Sequence, residues 1–338
     1  MSGPSGVAAR LARLAALVVL LGAAMVLALG LGPSGASWPS VWDLVLGRSD
    51  PTTRAILVDV RLARIALAAI VGAALSGAGA AFQAVLRNPL ADPYILGVSG
   101  GAALGATLVT TTAGLGPGAW PLARPAAAFA GAVLTLAILF RLARLRGRTG
   151  SMALLLAGVV LNAFDSAVIL FLLTVGDPGR FQGTLAFLVG SIVPLPWAAI
   201  GSVAAFVAAG LVLLFLLAHR LNLLAFGEET AGHLGLDVER TTWQVVISAS
   251  LVTAAAVSFA GLVGFVGLIV PHAARAALGP DHRVLVPASA LGGAAFLVLA
   301  DAGARTVAAP VELPVGVVTA LLGCPLFLAL FLRRLREP

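Results

Sequence analysis

The chain contains no lysine: all 21 of its basic residues are arginine. That absence excludes a Walker A phosphate loop, which needs its lysine, and a lysine Schiff base. A conventional P-loop ATPase is therefore ruled out. The single cysteine, Cys324, excludes an internal disulfide and any cysteine-based metal cluster. Charge of either sign is sparse: 10% of the 338 residues are charged, against about 25% in soluble domains. Glutamate is scarcer still, with five in all. The alternating ten-residue pattern of a transmembrane β-barrel is missing as well.

What the chain has in abundance is apolar length. Hydrophobic residues make up 60% of it and the mean hydropathy is +1.06. One globular core of this size cannot hide so much apolar surface, so membrane lipid must solvate most of the chain. Ten apolar runs of helical length are read at about 11–32, 61–83, 93–112, 121–142, 152–174, 195–218, 243–260, 264–278, 284–300 and 313–332. The expected fold class is an all-α polytopic membrane protein, a single transmembrane domain over residues 1–338. In the first run, Arg10 and Arg13 precede an apolar stretch, as in a signal peptide. The stretch Leu14–Leu31 is longer than a usual signal core, so a retained helix is expected. The eighth run is short and interrupted by Pro271. Pro271 deprives the Gly267 carbonyl, one turn earlier, of its helical donor, and a neighbouring polar group can satisfy it.

An isoelectric point near 11.4 would suggest nucleic acid in a soluble protein. Here the arginines sit in short loops between apolar runs, so they report orientation, and no nucleic-acid partner is expected. With the N-terminus inside, 14 arginines fall on the cytoplasmic side and seven on the outer side. That asymmetry places both termini inside and the number of spans even. The densest cluster, "RLARLRGRTG" from Arg141 to Gly150, then faces the cytoplasm. Gly97, Gly101 and Gly105 recur every four residues, as do Gly72 and Ser76, while Gly261, Gly264 and Gly267 recur every three. Such stripes let helix backbones approach closely in lipid.

Three of the five glutamates lie in one island, "FGEETAGHLGLDVERTT", Phe226–Thr242, between the sixth and seventh runs. The topology puts it in the cytoplasm. Glu228, Glu229 and Thr230 suit the start of a short helix. Gly232 and Gly235 can end or redirect it, and Asp237 can cap the next turn into the seventh run. From composition alone the island is either a solvated connector or a contact for a partner.

Three blocks carry a family resemblance: "RLARIALAAIVGAALSGAGAAFQAVLRNPLADPYILGVSGGAALGA" (Arg61–Ala106), "GLVGFVGLIVPHAARAALGPDHR" (Gly261–Arg283) and "VELPVGVVTALLGCPLFLALF" (Val311–Phe331). Together they resemble the FecCD-type permease subunits of type II ATP-binding-cassette importers, which import ferric siderophores, haem and vitamin B12. The likeness covers nearly the whole chain. It implies a type II importer permease fold of about ten helices, working as a homodimer by alternating access at the dimer interface. It further implies two cytoplasmic ABC ATPase subunits, which hold the ATP and Mg, and a periplasmic or lipid-anchored substrate-binding protein. The chain itself would bind no cofactor and would lie in the bacterial cytoplasmic (inner) membrane.

The resemblance also assigns roles. The loop at about 219–242 would be the coupling loop that fits a cleft on the ATPase, with Glu228, Glu229, Thr230, Ala231, Gly232, His233, Leu234, Gly235 and Leu236 at its tip. Arg61 and Arg64, one helical turn apart, and Arg305 match positions that receive acidic residues of the binding protein; interfacial snorkelling is the alternative. Asn162 and Asp165 share one face of the fifth run, which would line the translocation path. A water-filled vestibule or a buried packing contact would each explain a carboxylate there. Thr149 and Ser151, at the cytoplasmic start of that run, would either narrow the inner gate or cap the helix. Phe187 stands where the family often has tryptophan. His272 has no second ligand at metal spacing and reads as structural.

Two other functions compete. An ion-driven secondary transporter would need paired intramembrane carboxylates or histidines, and Asp165 alone is thin support for it. A membrane-bound enzyme would need a catalytic cluster, and the sequence offers no paired acids, nucleophile elbow or metal constellation.

Overall fold

The computed structural model describes residues 4–32, 37–112, 120–144, 151–176 and 181–336. In chain order the helices are α1 (Pro4–Gly30), α2 (Trp38–Val45), α3 (Pro51–Ala55), α4 (Ala63–Val85), α5 (Val98–Thr112), α6 (Trp120–Arg144), α7 (Ser151–Val175) and α8 (Phe181–Val189). They continue with α9 (Trp197–Leu216), α10 (Ala218–Leu224), α11 (Glu228–His233), α12 (Val238–Ala260), α13 (Val266–Leu278), α14 (His282–Thr306) and α15 (Val315–Arg336). A π-helical segment, Ile56–Leu62, fuses α3 to α4 into one 35-residue rod, and a 3-10 turn, Pro93–Leu96, precedes α5. No strand occurs among the described residues.

Among the described residues, seven helical stretches are long and apolar enough to cross a bilayer, α13 and α15 supply shorter apolar pieces, and the 15-residue α5 stands at the third run. The ten runs of the sequence map onto these elements in order. Short helices fill the gaps: α2 and α3 on the outer side, α8 before α9, and α10 and α11 in the cytoplasmic island.

The bundle is built around α4, α12 and α14. The most apolar windows of the α4 rod and of α12 are each 78% buried, whereas that of α1 is 11% buried. The centre is a small-residue core. A Cβ added at Gly72 of α4 would collide with the Gly293 carbonyl of α14, and one at Gly79 with the Gly267 carbonyl of α13. Gly101 and Gly105 of α5 abut Gly131 of α6 in the same way. In lipid there is no hydrophobic force between helices, so close backbone packing of this kind holds them together. Three stripe glycines behave differently. Gly97 has φ +83° and turns the chain from the 3-10 segment into α5, Gly261 has φ +69° and ends α12, and Gly264 has nothing within 4 Å.

The first run is integrated into the bundle. α1 packs on α14, and the Ala28, Leu29 and Leu31 carbonyls at its C-terminal end accept hydrogen bonds from Arg61 and Arg305.

Candidate functional site

The cytoplasmic island forms a compact helical cap. Leu221 and Leu224 of α10 are buried, and Gly227, with φ +105°, redirects the chain into α11. Glu228 and Glu229 occupy the first turn of α11, where the helix dipole favours negative charge. Ala231 is fully buried and fastens α11 to the bundle. The helix stops at Gly235, φ +84°: the Leu236 N–H donates to the Ala231 carbonyl at 3.0 Å and the Gly235 N–H to the Gly232 carbonyl at 2.9 Å. That is a Schellman stop, and it leaves Gly232 inside the helix rather than at its end. Asp237 then caps α12, its Oδ1 accepting from the Arg240 N–H at 3.0 Å.

What the cap presents outward is mixed in chemistry. Phe226 is 71% exposed and Leu234 60% exposed, and Glu229, Thr230 and His233 are exposed between them. Glu228 pairs with Arg87, at the cytoplasmic end of α4, at 3.3 Å. Two large apolar side chains flanking an acidic turn on rigid, short helices form a surface suited to a protein partner.

The base of the cap is pinned to the bundle by Asn222. Its Nδ2 donates to Asp281 Oδ1 at 2.8 Å, and its Oδ1 accepts from the His282 N–H at 2.8 Å. Asp281 caps α14 through the Arg283 N–H and pairs with Arg10 of α1 at 3.2 Å. Partial burial alone would raise the Asp281 carboxyl. The Asn222 and Arg283 hydrogen bonds and the charges of Arg10 and Arg283 outweigh it and hold the group below its ordinary value.

At the outer end, the three expected arginines are engaged within the chain. Asp301 of α14, 1% exposed in its side chain, sits between Arg64, with Nε at 3.0 Å from its Oδ1, and Arg305, with Nε at 3.1 Å from its Oδ2. Arg64 Nη1 also bonds Glu312 at 2.7 Å, and Glu312 is the half-exposed member of the set. Arg305 Nη1 and Nη2 reach the carbonyls of Leu31 and Ala28, and Arg61 Nη1 that of Leu29. Arg61 and Arg305 thus cap the C-terminal end of α1, where orphan carbonyls and the helix dipole attract cations. Gly32 lets Arg61 lie across the chain, since a Cβ there would strike its guanidinium. The π winding of Ile56–Leu62 separates Arg61, which faces α1, from Arg64, which faces α14.

In the interior, Asn162 and Asp165 of α7 are brought together against Gly100 of α5, where a Cβ would meet both side chains. Asn162 Nδ2 donates to the Tyr94 carbonyl at 2.8 Å. Asp165 is 4% exposed and its Oδ2 is buried without a hydrogen-bond partner among the described residues. A cavity of about 450 Å³ opens beside them, lined by Tyr94, Gly100, Asn162, Ser166, Leu188 and Leu262 among others. Ser151 is the first residue of α7, roughly 20 Å along the helix from Asp165. Thr149 lies outside the described residues. Phe187 of α8 is buried, with the Arg124 guanidinium 5.1 Å from its ring centre. That cation–π contact had no local signal in the sequence.

The FecCD transport family model matches residues 19–333. The chain belongs to the FecCD transport family. It is 42% identical to the cobalamin import system permease BtuC of Halobacterium salinarum, over 99% of this chain and 91% of that protein. It is 37% identical to the hemin transport system permease HmuU of Yersinia pestis, over 94% of each. A solved ABC transporter assigned to the metal-chelate type, in an inward-facing conformation, superposes with a TM-score of 0.81 at 30% identity, covering 95% of this chain and 99% of that one. As a FecCD permease the chain is a multi-pass membrane transport subunit of the ABC importer class, with the type II permease fold. An ion-driven secondary transporter finds no support among these relatives.

Proposed function

We propose that this permease carries a large metal chelate, a ferric siderophore, haem or cobalamin, across the bacterial cytoplasmic membrane as a homodimer. Two ABC ATPase subunits bind and hydrolyse ATP with Mg in the cytoplasm, and a substrate-binding protein delivers cargo at the outer face. The cap of α10 and α11 is the observation that carries this reading. Residues Glu228 to Leu236 make a rigid, partly apolar knob, with Ala231 anchoring it and Asn222 tying its base to α14. Closure of the ATPase pair would push on this knob and change which end of the dimer interface is open.

Binding-protein docking would use the outer rim around Arg64 and Glu312. Arg64 already pairs with Glu312, so an incoming carboxylate would exchange with Glu312 rather than meet an empty guanidinium. Arg61 and Arg305 hold that rim from behind. The cavity beside Asn162 and Asp165 would belong to the path taken by cargo, with Ser151, the first residue of α7, toward the inner gate.

Reconstitution tests the reading. Vesicles containing the permease with its ATPase should accumulate the chelate when ATP is supplied on the ATPase side. Uptake driven by a proton gradient without an ATPase would overturn it.

A further inference from the structure

An open groove of about 580 Å³ lies between α1 and α13 and is floored by α14. Its volume falls in the usual ligand-pocket range of about 300–1,000 Å³. It exists because the residues lining it are small. Ala273, Ala274 and Ala277 of α13 cannot reach α1, and Ala288 and Gly292 of α14 leave the floor low. Leu17 and Leu20 of α1 form the opposite wall.

The groove is polar at one end only. Among the described residues, Arg13, at its mouth, is the single charged residue lining it. From Arg13 to Leu20 the wall descends about 10 Å along α1, and every other lining residue is apolar or glycine. The topology puts the mouth at the cytoplasmic interface and the deep end within the hydrocarbon.

The mouth is also electropositive. Arg13 is exposed, and among the described residues it makes no ion pair; its Nη1 donates to the Ala277 carbonyl at 3.1 Å, which holds the side chain over the opening. Arg10 lies one turn away on α1, and Arg275 and Arg283 sit at the neighbouring ends of α13 and α14. The acid at this corner, Asp281, is already engaged by Arg10 and Asn222. Polar at the interface, apolar below and net positive at the opening is the complement of an anionic phospholipid, and basic pockets on the cytoplasmic side between membrane helices bind such headgroups.

We propose that this groove is a binding site for an anionic phospholipid of the cytoplasmic leaflet. The headgroup phosphate pairs with Arg13, and one acyl chain lies along Leu17, Leu20, Ala273 and Ala274. The lipid would complete the contact between α1 and α13 that the small residues leave open.

Native mass spectrometry of the purified, assembled transporter tests this, with phosphatidylglycerol and phosphatidylcholine as probes. Wild type should retain phosphatidylglycerol in preference to phosphatidylcholine. Arg13→Ala should weaken phosphatidylglycerol about fivefold, near the expectation for one cation at the surface, and weaken phosphatidylcholine less, because its choline cation offsets its phosphate. Ala273→Phe, which fills the groove from an exposed position, should reduce both lipids. Glycerol phosphate in excess should not displace the bound lipid. Phosphatidylglycerol retention unaffected by either variant, equal retention of the two lipids by wild type, or displacement by glycerol phosphate would overturn the proposal.

Discussion

The side-chain amide of Gln83 lies 3.4 Å from the Gly267 carbonyl, the acceptor that Pro271 deprives of its helical donor. The same nitrogen approaches the carbonyls of Leu268 at 3.3 Å and Ala91 at 3.5 Å. Gln83 is 3% exposed, so in this apolar interior its amide serves three acceptors that water cannot reach. It joins the inner end of α4, the Asn88–Asp92 loop and the proline turn of α13.

Replacing Gln83 with leucine should therefore destabilise the bundle by about 1–3 kcal/mol, the cost of a buried polar group left unmade. Pro271→Ala restores a donor for Gly267 from within α13. The pair of changes together should cost less than the sum of each alone. Thermal melts of the four proteins in one detergent measure that coupling, and strict additivity would break the link between the two residues.

At the outer end, Asp301 pairs with two arginines inside the fold, while Glu312, the second acid on Arg64, is half exposed. Asp301→Asn should cost about 3–5 kcal/mol because it strands buried positive charge. Glu312→Gln should cost under about 1 kcal/mol, as exposed pairs do. Comparable losses in the two melts would contradict the assignment of Asp301 as the centre of the network.

Glycine positions separate close contacts from open surface. Gly72→Ala should cost about 1–3 kcal/mol, because the new methyl meets the Gly293 backbone. Gly201→Ala on α9 has nothing within 4 Å and should be neutral or stabilising by up to about 1 kcal/mol. Melting midpoints of the two variants give the contrast directly.

The Asn222–Asp281 junction predicts a pH dependence. The folded carboxyl of Asp281 is held below its ordinary value, which is about 3.9. A depressed acid contributes stability that is fully present above the ordinary value and is lost as pH falls through the folded one. Wild type should therefore melt above Asp281→Asn at pH 7, and the gap should narrow below about pH 4. A gap that widens on acidification would reverse the sign of the argument.

Much of the architecture was legible because lipid leaves few choices. A backbone in hydrocarbon must satisfy itself, so ten apolar runs became ten bundle helices, within a few residues at most ends. The short helices α2, α3 and α10 go unread because they are too short to cross the membrane, although α3 carries a local start signal, Asp50 accepting from the Thr53 N–H with Pro51 in the first turn. The cytoplasmic island was readable through Glu228, Gly235 and Asp237, whose roles at a helix start, stop and cap are local. The outer arginines were not. Arg61 and Arg305 find their acceptors on α1, at Leu29 and Leu31, which lie 32 and 274 positions away in sequence. No local spacing encodes that contact, and the π turn before α4 breaks the helical register on which the Arg61–Arg64 reading relied.

In the proposed mechanism α11 transmits the ATPase stroke. The direct measurement replaces Glu228–Leu236 with a Gly/Ser linker of equal length and follows ATP-driven chelate uptake in vesicles, with the thermal melt of the membrane bundle as control. Uptake should be lost while the melt of the bundle is largely retained. Uptake at the wild-type rate with the linker in place would reduce the island to a connector and overturn its role in coupling.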